Sequence, residues 1–105
     1  MTYIQILTTT EKKEDAEKIA KVILEKRLAA CVQILGPIYS SYWWENNIEK
    51  KVEWICIIKT RNEKYNIIER TILSVHPYKV PEILVIPILS GNKSYFDWLN
   101  KEINR

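Results

Sequence analysis

The sequence predicts an α+β fold, a ferredoxin-like βαββαβ sandwich followed by a C-terminal helix. Three observations support this prediction. Short apolar, β-branched runs alternate with two segments of helical periodicity. Two of these runs follow each other directly, as the legs of one long hairpin. The chain has 105 residues, the size of one domain, so a single domain spanning residues 1–105 is expected.

The first strand, helix and second strand are predicted from residues 3–35. Residues 3–8 form a β-branched run typical of a strand. Thr8, with Glu11 three residues later, suits a capping box for the helix that follows. A second strand at residues 31–35 is expected to end at Gly36-Pro37. The helix carries an apolar stripe at helical spacing: Ala16, Ile19, Ala20, Ile23 and Leu24.

An aromatic hairpin is predicted next. Its legs are residues 38–45 and 48–60, joined at Asn46-Asn47, because asparagine tolerates positive φ. The legs are longer than a compact sheet of short strands requires. Exposed apolar surface of this kind typically marks a partner surface. The aromatic residues of the hairpin are therefore predicted to form a subunit interface: Tyr42, Trp43, Trp44 and Trp54.

The remaining elements are a second helix, a stiff connector, a strand and a last helix. The second helix is predicted at residues 62–75. Pro77 and Pro81 exclude a helix interior, so the connector should be extended and lead to a strand at residues 83–88. Pro87 places the end of that strand at a sheet edge or bulge. Asn92 or Ser94 should cap the last helix.

Charge and hydropathy exclude several classes of partner. The net charge is +3, but basic and acidic residues alternate, as in Glu49-Lys50-Lys51-Val52-Glu53, which is typical of a solvated surface. Nucleic-acid binding needs a basic face, so no nucleic-acid partner is expected. No apolar run is long enough to cross a membrane. The N-terminal residues lack an export signal, so a cytoplasmic location is expected.

Few residues are candidates for catalysis or metal binding. The chain has one histidine, His76, and two separated cysteines, Cys31 and Cys56, which we expect to be free thiols. One His and two distant Cys cannot complete a transition-metal site in one chain. His76 is therefore a weak metal candidate, and the favoured alternative is that it caps the second helix or bonds a carbonyl. Residues 59–61 either bind an anion or form a solvated loop. No catalytic residues are predicted, so the chain is not expected to be an enzyme.

The connector predicts a polar cleft. It holds His76, Tyr78 and Glu82 on a backbone with little freedom. Lys59 is expected to meet Glu82, because the third and fourth strands lie in one sheet, and Cys31 would form the floor. We predict that these five residues converge between two subunits and line a pocket of small-ligand size. In the structural alternative, Lys59 and Glu82 simply pair and Tyr78 fills the subunit interface.

Four linked motifs resemble those of a known family, with matching order and spacing. They are Arg27-Leu28-Ala29-Ala30-Cys31-Val32, Tyr42-Trp43-Trp44-Glu45, Ile58-Lys59-Thr60 and His76-Pro77-Tyr78-x-Val80-Pro81-Glu82. Over nearly its whole length the chain resembles the CutA divalent-cation-tolerance proteins. The resemblance implies a cytoplasmic homotrimer of ferredoxin-like subunits, whose long hairpins join sheets across chains. It also implies a non-catalytic role in divalent cation (copper) tolerance and the response to metal ions.

The resemblance also implies a metal site that this chain matches only in part. In some bacterial members the proposed site uses a cysteine at the end of the first strand and a His pair before Pro-Tyr. This chain has Thr8 and Val75 at two of those positions, so only His76 matches. Cu²⁺ or another divalent cation is therefore expected to bind weakly. The fold is also similar to that of trimeric PII-like signalling proteins, so the alternative function is effector binding in a cleft between subunits.

Overall fold

The computed structural model describes residues 2–104. They form, in order, β1 (Tyr3–Thr10), α1 (Lys13–Glu25), β2 (Cys31–Trp44), β3 (Asn47–Arg61), a 3-10 turn (Asn62–Lys64), α2 (Tyr65–Val75), β4 (Ile83–Ile88) and α3 (Lys93–Glu102). This order confirms the predicted βαββαβ fold with a C-terminal helix. The periodicity of the apolar residues predicted this order of elements. Each strand buries one face and each helix one stripe, and these apolar surfaces pack together.

The four strands form one antiparallel sheet in the order β2-β3-β1-β4. β1 lies between β3 and β4, with Ile6 opposite both Ile58 and Val85. β2 and β4 are the outer strands. Pro87 is tolerated because β4 pairs on one side only, which confirms the predicted edge position.

Helices α1 and α2 cover one face of the sheet. Their stripes pack on alternate residues of β1 and β3, because side chains at every second strand position share a face. The buried core comprises Ile4, Ile6, Ala16, Ile19, Ile23, Leu28, Ala29, Cys56, Ile58, Ile68 and Ile72. Leu24 differs from the prediction: it is 40% exposed, in a shallow groove shared with Trp98.

Helix α3 packs on the opposite face of the sheet. Phe96 stacks on Tyr3 with ring centroids 4.5 Å apart. Arg61 is 4% exposed and donates to Asn100 Oδ1 and to the Asn104 carbonyl oxygen, both at 2.7 Å. The guanidinium thus joins the end of β3 to the C-terminal segment. Residues 59–61 were expected either to bind an anion or to form a solvated loop. Neither describes Arg61, because its side chain is buried and its N–H groups already donate to protein acceptors.

β2 does not end at Gly36-Pro37, as the sequence predicted. It continues to Trp44, and its register with β3 shifts between Leu35 and Ile38. Such a bulge accommodates one extra residue without ending the pairing. The backbone also approaches Trp54 closely here, since a Cβ on Gly36 would lie 2.5 Å from the Trp54 ring.

The ends of several elements differ by a few residues from the predictions. Glu45 and Asn46 have φ of 48° and 68°, so the hairpin turn lies one residue earlier than predicted. The capping box at Thr8 is wrong, because β1 extends to Thr10 and Lys12 precedes α1 without a side-chain cap. The cap of α3 is confirmed, because Asn92 Oδ1 accepts a hydrogen bond from the Ser94 backbone N–H in the first turn of the helix.

Candidate functional site

His76 fixes the connector, residues 76–82, to the sheet. Its backbone N–H donates to the Ile72 carbonyl and so closes α2. Its ring bonds the Thr9 carbonyl through Nε2 at 2.8 Å, and its Nδ1 accepts from the Tyr78 backbone N–H at 3.1 Å. These partners require the proton on Nε2. The prediction that His76 caps the helix or bonds a carbonyl is confirmed, since it does both.

Tyr78 continues this attachment through its side chain. Its hydroxyl donates to Glu53 Oε2 at 2.7 Å. Glu53 lies on β3, on the sheet face away from α1 and α2, and is only 6% exposed. The charge alternation predicted a solvated surface at Glu53, which is wrong because the connector lies across it. We call Thr9, Ser40, Glu53, His76 and Tyr78 the connector cluster.

Glu53 is held in its charged form. Burial alone would raise its pKa. Hydrogen bonding from Ser40, Tyr78 and Thr9 outweighs that effect, with a further contribution from the charge of Lys51, so the pKa lies below its ordinary value of 4.5. A carboxylate that accepts several hydrogen bonds is stable as an anion even when water is excluded.

The two ring side chains of the cluster are held uncharged. Burial is the main cause that lowers the pKa of His76, although the Thr9 bond and the charges of Asp15 and Glu53 oppose it. Burial, followed by the bond to Glu53, raises the pKa of Tyr78 far above 10. At neutral pH the cluster therefore contains a neutral imidazole, a protonated phenol and a carboxylate. This arrangement holds the backbone in place and activates neither a nucleophile nor a base.

The five residues predicted for the cleft fall into two groups within the chain. His76 and Tyr78 belong to the connector cluster, and Glu82 lines a neighbouring groove beside Glu53. Cys31 and Lys59 lie opposite each other on β2 and β3, near the ring of Tyr95.

Lys59 and Glu82 do not meet within the chain, and that expectation is wrong. Although their strands share a sheet, β1 lies between them. Lys59 pairs with Gln5 and Ile83 with Thr8, an offset of about 10 Å along β1. Whether the two groups meet between subunits stays a prediction.

The hairpin aromatics differ in their surroundings. Trp43 is 71% exposed and Trp44 is 44% exposed, whereas Tyr42 is half-buried. Trp54 packs against the core, and the Lys13 ammonium lies 5.4 Å from its ring centroid. Trp54 is therefore covered in part by its own chain. The assignment of all four residues to a subunit interface stays a prediction.

The donors available for a metal are sparse. Within residues 2–104 no three His, Cys, Asp or Glu side chains come close enough to hold a metal ion. A metal on His76 would have to replace its bond to Thr9 or to Tyr78. Burial raises the pKa of the Cys56 thiol to about 11, which disfavours the thiolate that metals bind. The residues of one chain therefore do not fit a tight transition-metal site, and weak binding at His76 stays a prediction.

Sequence reasoning missed Glu53, Thr9 and Ser40. The prolines indicated a stiff connector, but nothing in the sequence indicated which strands it would cross. The available signal was Glu53 itself, an acidic residue that interrupts the apolar return leg of the hairpin. Its alternation with Lys50 and Lys51 favoured the more ordinary solvated interpretation.

Comparison with known proteins identifies the family. A family model described as CutA1 divalent ion tolerance protein matches residues 4–102. The chain belongs to the CutA1 divalent ion tolerance family. The divalent-cation tolerance protein CutA of Archaeoglobus fulgidus is 44% identical over 98 residues, which cover 93% of this chain and 95% of the relative. The Thermus thermophilus protein of the same name is 38% identical over 96 residues, covering 91% and 93%. The resemblance seen in the sequence is confirmed.

Solved structures of this family share the fold. The Thermus thermophilus divalent cation tolerance protein superimposes with a TM-score of 0.94 at 35% identity, covering 97% of this chain and 99% of that one. CutA1 from Oryza sativa gives a TM-score of 0.96 at 35% identity, covering 99% and 95%. The ferredoxin-like architecture is thus that of the CutA1 proteins.

Proposed function

We propose that this chain is a non-catalytic homotrimer that acts in divalent-cation tolerance and the response to metal ions. The observation that carries the proposal is the match of residues 4–102 to a family named for that role. The Archaeoglobus fulgidus and Thermus thermophilus relatives with this name are matched over 95% and 93% of their own length, so little of either lies outside the comparison. The names of these relatives give no support to the alternative of PII-like effector signalling.

The absence of catalysis is supported by the protonation states in the connector cluster. A general base or nucleophile needs a pKa tuned towards activity. The pKa of Tyr78 is instead raised, and both ring nitrogens of His76 are engaged in hydrogen bonds.

The homotrimer is supported by the apolar outer half of the hairpin. Tyr39 pairs with Val52 and Trp43 with Ile48 on one face, and these residues are 46–85% exposed. Ser41 and Lys50 lie between these two pairs. Large apolar side chains exposed in this number on one face are usually covered by a partner. Light scattering should give three times 12.5 kDa, and Trp43→Ala should weaken the assembly by several kcal/mol, about the cost of an aromatic core deletion. A monomer at micromolar concentration would contradict the proposal.

Any metal binding should be weak and depend on His76. Calorimetry with Cu²⁺ should give micromolar or weaker affinity, because the ion must compete with two existing hydrogen bonds of the ring. Binding should disappear in His76→Ala. Nanomolar affinity that survives this substitution would show that other residues hold the ion.

The cellular role is tested by complementation. A host lacking its own CutA protein should regain growth in elevated Cu²⁺ when it expresses this chain, and expression of Trp43→Ala should restore less growth. A folded trimer that restores no growth would contradict the proposed role.

We also propose a cytoplasmic location. No helix within residues 2–104 is long and apolar enough to span a bilayer. Relatives differ in this respect: a rice protein is named chloroplastic, and the Archaeoglobus structure is described as periplasmic. Fractionation of cells expressing the chain tests the location directly.

A further inference from the structure

We draw no further inference here: the strongest candidate, the shallow groove between the end of α1 and helix α3 in which Leu24 and Trp98 are 40% and 43% exposed, carries none, because nothing within residues 2–104 shows what covers it.

Discussion

The Tyr78 hydroxyl donates to the Glu53 carboxylate across 2.7 Å, and this bond ties the connector to a strand 25 residues earlier in the chain. Tyr78→Phe keeps the ring and removes the bond. We expect the free energy of unfolding to fall by about 1.5–3 kcal/mol, because the acceptor is a buried charge. Urea denaturation at fixed protein concentration measures the change.

Tyr65→Phe is the matched control for that substitution. Tyr65 donates to Glu69 at 2.8 Å, one turn along α2, in a more exposed setting. Its loss should cost about 0.5 kcal/mol or less. An equal loss of unfolding free energy in Tyr78→Phe and Tyr65→Phe would show that the bond to Glu53 contributes no more than an exposed hydrogen bond.

His76 should make stability fall as the solution is acidified. Its pKa in the folded chain lies below the ordinary 6.5, chiefly through burial. The unfolded chain therefore binds more protons just below pH 6.5. The stabilising effect of the neutral His76 imidazole is complete above pH 6.5 and is lost as pH falls through the folded pKa. His76→Gln should flatten the fall in unfolding free energy between neutral pH and the folded pKa.

NMR tests the same point directly, since the chain has one histidine. The imidazole signal should titrate with a midpoint below 6.5. A midpoint above 6.5 would mean that the charges of Asp15 and Glu53 outweigh burial, and the pH dependence would then have the opposite sign.

Thr8→Val should stabilise the chain. The Thr8 hydroxyl is fully buried and has no hydrogen-bond partner within residues 2–104. Replacing it with a methyl group of similar size removes an unmet polar group, so we expect a gain of about 1 kcal/mol. Thr60→Val is the control, because Thr60 is equally buried but donates to the Leu28 carbonyl at 2.6 Å. It should lose stability, and a loss in both variants would contradict the assignment.

Gly36→Ala should destabilise the chain through Trp54. The added Cβ would lie 2.5 Å from the Trp54 ring and 3.2 Å from the Glu53 carbonyl. We expect a loss of about 1–3 kcal/mol, as for other overpacked sites. In a Trp54→Leu background the same substitution should cost much less. A cost that is unchanged there would place the strain in the backbone.

The order of elements and most of the core were predictable because they follow from periodicity. Ile19 and Ile23 repeat at helical spacing and are buried where the pattern placed them. The capping box failed for a local reason, since three threonines suit a strand as well as a cap. The early end assigned to β2 failed because Gly-Pro suggests a stop, whereas here it forms a bulge.

The candidate site was harder to predict than the fold. Pro77 and Pro81 indicated a stiff connector, and His76 was correctly expected to bond a carbonyl. The partners of Tyr78 depend on which strands the connector crosses, and that is set by tertiary packing. Glu53 was missed because its alternation with lysines is typical of exposed strands, and only the fold excludes water from it.

The extra residue near Gly36 changes which residues of β2 face each side of the sheet, from odd-numbered to even-numbered positions, although the strand continues in the same sheet. Odd-numbered residues such as Cys31 share a face with Glu53, and beyond the shift it is even-numbered residues such as Tyr42 that do so. The outer hairpin is therefore a separable arm. Residues can be added to or removed from both of its legs in steps of two, which would change its reach while the core pairing stays in place.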